Sequence, residues 1–285
     1  MIAEMVSHKA VLDEIVMISC LMYAVGGVWS AVLGYLLLDA IGWRIFILLT
    51  SLPIFIPPIF MLHFCFAGPA RPKIQEEKIP ITEKEKTAVI VPNLVARTVK
   101  LGLYCAVNTF QGWLTILLVP AMIQMLNIKE AESQSDCSVT ATQGSELLLL
   151  GLVTFAAILG RLFIHYTRKK IPFRTMQVGV ALLNVLSFAA MLVDDNLVLV
   201  VATNFTVKLL FGITAMSSSY ILYDVEYFGA ARFALGSSVA HAVGLAGGVI
   251  GTVMVPFAPL LAVKITALVL SALQIPVVLS MTEIQ

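Results

Sequence analysis

Eight long apolar stretches, separated by short polar segments, constrain the fold of this chain more than any other feature of its sequence. Each stretch has about the 20 residues that an α-helix needs to cross the hydrocarbon core of a bilayer. Only 12% of the residues are charged, whereas soluble domains carry about 25%, so a soluble fold is excluded. The sequence predicts an all-α polytopic membrane protein in contact with the lipid bilayer. The predicted spans are 15–38, 43–66, 98–120, 143–165, 173–193, 196–222, 233–257 and 259–281.

The distribution of basic residues predicts the orientation of the chain. An even number of spans places both termini on one side, and 13 of the 18 lysine and arginine residues fall on that side, against three on the other. Because these residues are enriched in cytoplasmic loops, both termini are predicted to be cytoplasmic, in the plasma membrane or an intracellular vesicle. Lys9, Asp13 and Glu14 lie where a signal peptide has an uncharged core, so the first span is predicted to be retained.

Several functional classes are disfavoured by the composition and by the motifs that the sequence lacks. A net charge of +1 offers no basis for binding nucleic acid. The four cysteines are far apart, which disfavours a disulfide framework and a C-x-x-C metal site. Neither a zinc-peptidase motif nor a phosphate-binding loop occurs. We therefore expect no enzymatic activity, no metal or other cofactor, and no use of ATP.

A polar, proline-containing segment divides the chain into two parts. Residues 67–97 include four prolines and a run of mixed charge, a composition typical of a solvated linker. The predicted organisation is therefore two helices in 1–66, a cytoplasmic linker over 67–97 and a six-helix bundle over 98–285.

Four hydrogen-bonding side chains are spaced along one face of the third apolar span. Tyr104, Asn108, Gln111 and Thr115 follow one another at intervals of three or four residues, which places them on the same side of a helix. Such a stripe must face protein or water, because lipid cannot satisfy its hydrogen bonds. It is predicted either to line a substrate cavity or to join helices through hydrogen bonds.

A lysine lies deep within the sixth apolar span. Lys208, with Asn204 one turn before it, is far from either end of the span. An ionisable residue inside a membrane is costly and indicates a functional site by default. Lys208 is predicted to face a cavity, to pair with an acidic residue, or to extend to the non-cytoplasmic surface.

Further charged residues are candidates for contacts that gate a cytoplasmic entrance. Arg161, Arg168 and Lys169 occupy the cytoplasmic half of the fourth span and the loop after it, with Arg161 expected to extend toward that end. Glu226 and Arg232 flank the loop between the sixth and seventh spans. They are predicted either to form contacts that rearrange on opening, or to be topology residues and independently solvated charges.

Two glycine pairs suggest an internal repeat. Gly26-Gly27 and Gly247-Gly248 lie in the middle of their spans, and each pair follows an acidic and a basic residue near one end of its helix. Since glycine lets two helix backbones approach closely and permits bending, all four are predicted to serve helix packing and conformational change.

Several short motifs follow one another in the order of one known family. They are Gly42-Trp43-Arg44, Ser51-Leu52-Pro53, Gly160 with Arg168 and Lys169, Gly212-Ile213-Thr214, Tyr223 with Glu226, Gly236 and Gly247-Gly248. With these motifs the chain resembles the major facilitator superfamily, and within it the branch of organic cation and anion transporters and transporters related to synaptic vesicle glycoproteins. The resemblance covers helices five to twelve of a twelve-helix fold. The chain departs from the family pattern at Ile164, where the family has aspartate, and at Thr167, where it has glycine.

The resemblance implies a partial major-facilitator fold, with the last two helices of the N-terminal half and a complete six-helix C-terminal half. It also implies a secondary transporter, or a fragment of one, that moves a small organic solute, charged or neutral, by alternating access, with or without a coupling ion. The missing helices or another membrane subunit are the implied protein partners. The alternative function is a transport-inactive protein of vesicle membranes that binds or regulates.

Overall fold

A computed structural model describes residues 9–66, 93–133, 143–193, 197–229 and 232–281, and these residues contain helices and no strands. Seven helical segments within them are long and apolar enough to cross a membrane. The prediction of an all-α polytopic membrane protein is confirmed. The helices are α1 (Lys9–Phe66), α2 (Leu94–Ser133), α3 (Gln143–Thr167), α4 (Phe173–Val193), α5 (Leu197–Leu222), α6 (Val225–Phe228), α7 (Phe233–Phe257) and α8 (Leu260–Ser280).

Helix α1 is two helices joined at a single residue. Gly42 has φ 73° and ψ 160°, a backbone conformation that glycine adopts without steric cost. A Cβ atom at Gly34 would lie 3.5 Å from Cζ of Phe46, although twelve residues of straight helix would span about 18 Å. The chain therefore folds back at Gly42, in the interval between the first two predicted spans.

The first arm of α1 runs antiparallel to α3. Asp13, near the start of α1, contacts Arg168, just after the end of α3. Further along α1, the position of a Gly34 Cβ lies 3.4 Å from Leu147, near the start of α3. Because a later residue of α1 contacts an earlier residue of α3, the two helices run in opposite directions.

Helices α2 and α7 run in the same direction. A Cβ atom added to Gly244 would lie 2.9 Å from Cβ of Cys105, and one added to Gly251 would lie 2.7 Å from the carbonyl oxygen of Phe110. The later residue of α7 thus contacts the later residue of α2. In contrast, α4 and α8 are antiparallel, because their polar contacts join the start of each helix to the end of the other. These relative directions are the ones that successive membrane crossings with a reversal at Gly42 would produce.

Helix α1 begins and α8 ends at the same end of the bundle. Arg174, at the start of α4, donates a hydrogen bond of 2.8 Å to the carbonyl of Leu279 near the end of α8, and Asp13 contacts Arg168 at that end. Lys264 lies at the opposite end, where it donates to the carbonyl of Met191. The structure thus places Arg168 and Arg174, two of the basic residues that the sequence assigns to one side, at one end of the bundle. Which end is cytoplasmic stays a prediction.

Helix α2 is longer than its sequence predicts. It begins at Leu94 and continues to Ser133, so the last four residues of the predicted 67–97 linker are helical. Residues 67–92 of that linker lie outside the described residues. Pro120 does not end the helix, which shows that the apolar stretch and the helix have different limits here.

Helices α3 and α5 cross at a pair of glycines. A Cβ atom on Gly160 would overlap the carbonyl oxygen of Leu209, and a Cβ on Gly212 would overlap that of Ala157. The two backbones can approach this closely only because neither glycine carries a side chain. This crossing sets the position of α3 and, with it, of the charged residues that α3 carries.

Candidate functional site

The polar stripe on α2 lies inside the bundle. Tyr104 donates a hydrogen bond of 2.6 Å to Oε1 of Gln177 on α4. The amide nitrogen of Gln177 in turn donates to Oγ of Ser217 on α5, at 2.9 Å. Both Tyr104 and Gln177 are fully buried, so this end of the stripe joins three helices.

The middle of the stripe binds α4 and α8. Nε2 of Gln111 donates to Oγ of Ser271 at 2.8 Å, and Nδ2 of Asn184 donates to Oε1 of Gln111 at 3.1 Å. Gln274 donates to Oδ1 of Asn108 at 2.7 Å. Thr115 instead donates to the carbonyl of Gly112 in its own helix.

These contacts support the second alternative for the stripe, namely hydrogen bonds between helices. A cavity-lining role for Tyr104, Asn108, Gln111 and Thr115 stays a prediction. Their partners on α4 and α8 are not among the residues predicted from the sequence. Spacing alone could have found them, since Gln177 and Asn184 are seven residues apart, as are Tyr104 and Gln111, so each set lies on one helix face.

The Asn108–Gln274 pair provides a first prediction. Replacing either residue with leucine leaves a buried amide without its partner, which we expect to cost about 1–3 kcal/mol. The double variant should lose less than the sum of the two single losses, with a coupling of about 0.6–1.7 kcal/mol, the range found between membrane helices. The measurement is unfolding in detergent, combined as a double-mutant cycle.

Thr252→Val is the matched control for this cycle, because its hydroxyl group bonds only to a carbonyl of its own exposed helix turn. We expect it to change the free energy of unfolding by at most about 0.5 kcal/mol, as most surface substitutions do. Strict additivity of the Asn108 and Gln274 losses would contradict the pairing.

Lys208 points into the protein and not toward either membrane surface. Its side chain is only 4% exposed, and Nζ donates to the carbonyl of Gly112 on α2 at 2.7 Å. The ammonium group lies 5.0 Å from the centroid of the Phe211 ring. Extension to the surface, one of the three alternatives for this residue, is thus wrong. Nδ2 of Asn204 donates a hydrogen bond to the carbonyl of Val200 in the same helix. Its buried Oδ1 has no hydrogen-bond partner among the described residues.

Arg161 lies apart from the end of α3, contrary to the expectation that it reaches toward that end. It is 3% exposed, and its guanidinium carbon lies 5.8 Å from the centroid of the Tyr23 ring on α1. Nε and one terminal nitrogen, Nη1, are buried with no hydrogen-bond partner. The crossing of α3 and α5 at Gly160 explains this position, because it holds Arg161, the next residue, between α1 and α5.

Arg161 and Lys208 form what we call the cationic junction, the contact region of α1, α3 and α5, where Lys208 also bonds to α2. The two residues are chain neighbours of Gly160 and Leu209, which touch where α3 and α5 cross, and Tyr23 of α1 lies beside Arg161. Among the described residues, Arg168 pairs with the carboxylate of Asp13, whereas no acidic side chain is paired with Arg161 or Lys208. Such uncompensated charge costs several kcal/mol in an apolar interior.

A second cluster closes one end of the same three helices. Nη2 of Arg168 lies 2.5 Å from Oδ2 of Asp13, and the Arg168 guanidinium stacks 3.8 Å from the centroid of the Tyr220 ring on α5. The hydroxyl group of Tyr220 lies 2.9 Å from Nδ1 of His165. Arg168 is predictable from the sequence as a gating residue, but its partner Asp13 is not, because the two residues are 155 positions apart and share no local pattern.

The remaining gating candidates lie on the surface. Lys169 is exposed after α3, while Glu226 and Arg232 are exposed on either side of a tight connection between α5 and α7. Gly229, with φ 76°, accepts a backbone hydrogen bond from Arg232. Asp224 accepts one from the backbone of Glu226 at 2.9 Å. Charge pairing between Glu226 and Arg232 stays a prediction.

The four predicted packing glycines fall in different environments. A Cβ on Gly247 would overlap the carbonyl of Ala106 on α2, and one on Gly248 would lie 2.7 Å from Trp113. Gly27 faces α3, where a Cβ would lie 3.0 Å from Thr154. Gly26 lies on an exposed face, where a Cβ would have no neighbour within 4 Å among the described residues, so its packing role stays a prediction.

The fold and these buried groups define the protein as a polytopic helical membrane protein with a cationic interior junction. Comparison of the chain with models of known protein families, with curated proteins and with solved structures finds no match.

Proposed function

We propose that this protein is a secondary transporter of the major-facilitator type, or part of one, and that it moves a small organic solute bearing negative charge. The observation that carries the proposal is the guanidinium group of Arg161, which is buried within a membrane span with two nitrogen atoms unpartnered. Charged residues in this setting serve ion or substrate pathways more often than structure.

The chemistry of the junction favours an anionic group. A buried donor without an acceptor costs about 1–3 kcal/mol, and more when it is charged. A carboxylate, sulfonate or phosphate can accept two parallel hydrogen bonds from one guanidinium group, and such charge-assisted bonds are roughly twice as strong as neutral ones. Lys208, next in the chain to Leu209 at the α3–α5 crossing, supplies an amino group as a further donor close by. Binding of an anion would therefore remove the free-energy cost of the unpartnered nitrogen atoms.

The position of the junction suits alternating access. The resemblance described above assigns α1 to one half of the fold and α3 and α5 to the other, so Arg161 would lie between the halves. Substrate sites of secondary transporters lie near the midplane at such an interface. The Asp13–Arg168–Tyr220 contact then acts as an end closure that must open for the solute to pass.

Uptake by proteoliposomes tests this function and provides the second prediction. We expect the purified chain to exchange organic anions, and not organic cations of similar size, without ATP. Lys208→Ala should lower kcat/KM about tenfold or more, as expected for a lost hydrogen bond to a charged group, with the amount of reconstituted protein unchanged.

The matched control is Lys264→Ala, because Lys264 is also buried and also donates to a carbonyl of a neighbouring helix, that of Met191, but at the other end of the bundle from the Asp13–Arg168 contact. Equal uptake by the Lys208 and Lys264 variants would remove Lys208 from the solute pathway. Absence of exchange for every anion would favour the alternative of a transport-inactive binding or regulatory membrane protein.

A further inference from the structure

A basic pocket lies at the end of the bundle, outside the cationic junction. It encloses about 930 Å³ between α1, the α3–α4 connection, the start of α4 and the end of α5. Four basic side chains line it against a single carboxylate, that of Asp13. The basic side chains are Arg168, Lys169, Lys170 and Arg174.

The pocket lies at the level where the membrane meets water. Its basic residues follow the apolar segment Leu147–Thr167 and border the segment Phe173–Val193. Since each segment has the length of the hydrocarbon core, the connection between them falls among lipid headgroups. Lys169 and Lys170 are exposed there.

Two of the basic groups are already oriented by the protein. Arg174 donates to the carbonyl of Leu279, and Arg168 holds Asp13 while its buried Nε has no hydrogen-bond partner. The deeper wall is apolar and includes Ile164, Phe173 and Met176. A ligand that fits this lining has an anionic head for the basic rim and an apolar part for the wall.

We propose that this pocket binds the phosphate headgroup of an anionic membrane lipid. Basic pockets between transmembrane helices are suited to such headgroups. The phosphate lies between Lys169 and Lys170 at the basic rim of the pocket, while the glycerol and upper acyl chain contact Phe173 and Met176. The ligand is distinct from the solute of the cationic junction, so the proposal does not depend on transport.

The third prediction compares two lipids that differ only in the headgroup. Binding of dioctanoyl phosphatidic acid and dioctanoyl phosphatidylcholine to the purified chain is measured by thermophoresis in a non-ionic detergent. We expect phosphatidic acid to bind about tenfold or more tightly, and its affinity to fall as salt rises, because salt screens exposed charges. Equal affinity for the two lipids would overturn the proposal.

Charge-removing variants locate the site. Each lysine near an anionic lipid contributes a factor of about five in affinity. Lys170→Gln should therefore weaken binding of phosphatidic acid about fivefold, and the double variant with Lys169→Gln about 25-fold, with phosphatidylcholine binding unchanged. Arg44→Gln is the control, since it removes one exposed positive charge outside the pocket.

Two results would reject the assignment even if a variant fails to fold. In the folded variants, a loss for Lys170→Gln no larger than that for Arg44→Gln would exclude the pocket as the site. In the wild-type chain, inorganic phosphate that binds as tightly as phosphatidic acid would show that the acyl chains contribute nothing, and the occupant would then be a soluble phosphate and not a lipid.

Discussion

Replacing Gly160 with leucine is expected to abolish recovery of folded protein. A Cβ at this position overlaps the backbone of α5 at Leu209 and Gly212, and backbone atoms of a packed helix cannot move aside as the end of a side chain can. Overpacking of a core costs about 1–3 kcal/mol where neighbours can adjust, and more where they cannot. Membrane domains have no large reserve of stability against such a loss.

The measurement is the monodisperse fraction in size-exclusion chromatography after extraction, followed by thermal unfolding of whatever is recovered. Gly179→Leu is the matched control, because Gly179 is also inside a helix, α4, but a Cβ there has no neighbour within 4 Å. If the Gly160 and Gly179 variants were recovered equally well, the close crossing of α3 and α5 would be contradicted, and with it the placement of Arg161.

Replacing Arg161 with methionine is expected to separate stability from function. The buried guanidinium has no acidic partner, and exchange of buried charge for an apolar side chain of similar volume often stabilises a protein by about 1–4 kcal/mol. The same substitution removes the donors for the anionic solute, so uptake should fall about 100-fold or more, as for a lost pair of charge-assisted hydrogen bonds. Thermal unfolding and proteoliposome uptake measure the two effects.

Arg168→Met is the contrasting variant, because the Arg168 guanidinium is paired with Asp13. Its removal leaves a carboxylate without a partner, so we expect stability to fall. Arg161→Lys keeps the charge without the planar fork of donors, and uptake should recover only in part. Destabilisation by Arg161→Met together with unchanged uptake would show that Arg161 is a structural residue.

Hydropathy predicts the helices of this protein well because polar or proline residues bound most apolar stretches. The bounds of α4 and α7 coincide with the predicted spans 173–193 and 233–257. Helix α2 deviates at both ends, since its polar continuation stays helical beyond the apolar part. Hydropathy reports burial in lipid, and a helix can extend past the membrane.

The candidate site was predictable only in its residue types. A polar stripe or a lone lysine can be identified from one helix, because helical spacing defines the face on which a residue lies. The neighbour of that face depends on packing between helices far apart in sequence. For this reason Arg161 and Lys208 were assigned to different roles, and Asp13 was missed as the partner of Arg168.

The packing of α1 against α3 has a consequence for biosynthesis. Asp13 leaves the ribosome 155 residues before Arg168, which at about 5–20 residues per second is a delay of about 8–30 seconds. During that interval the first helical hairpin resides in the translocation machinery or the surrounding bilayer without the helix that will cover it. Nascent chains halted before Arg168 should therefore be the ones that membrane chaperones and quality-control proteases engage.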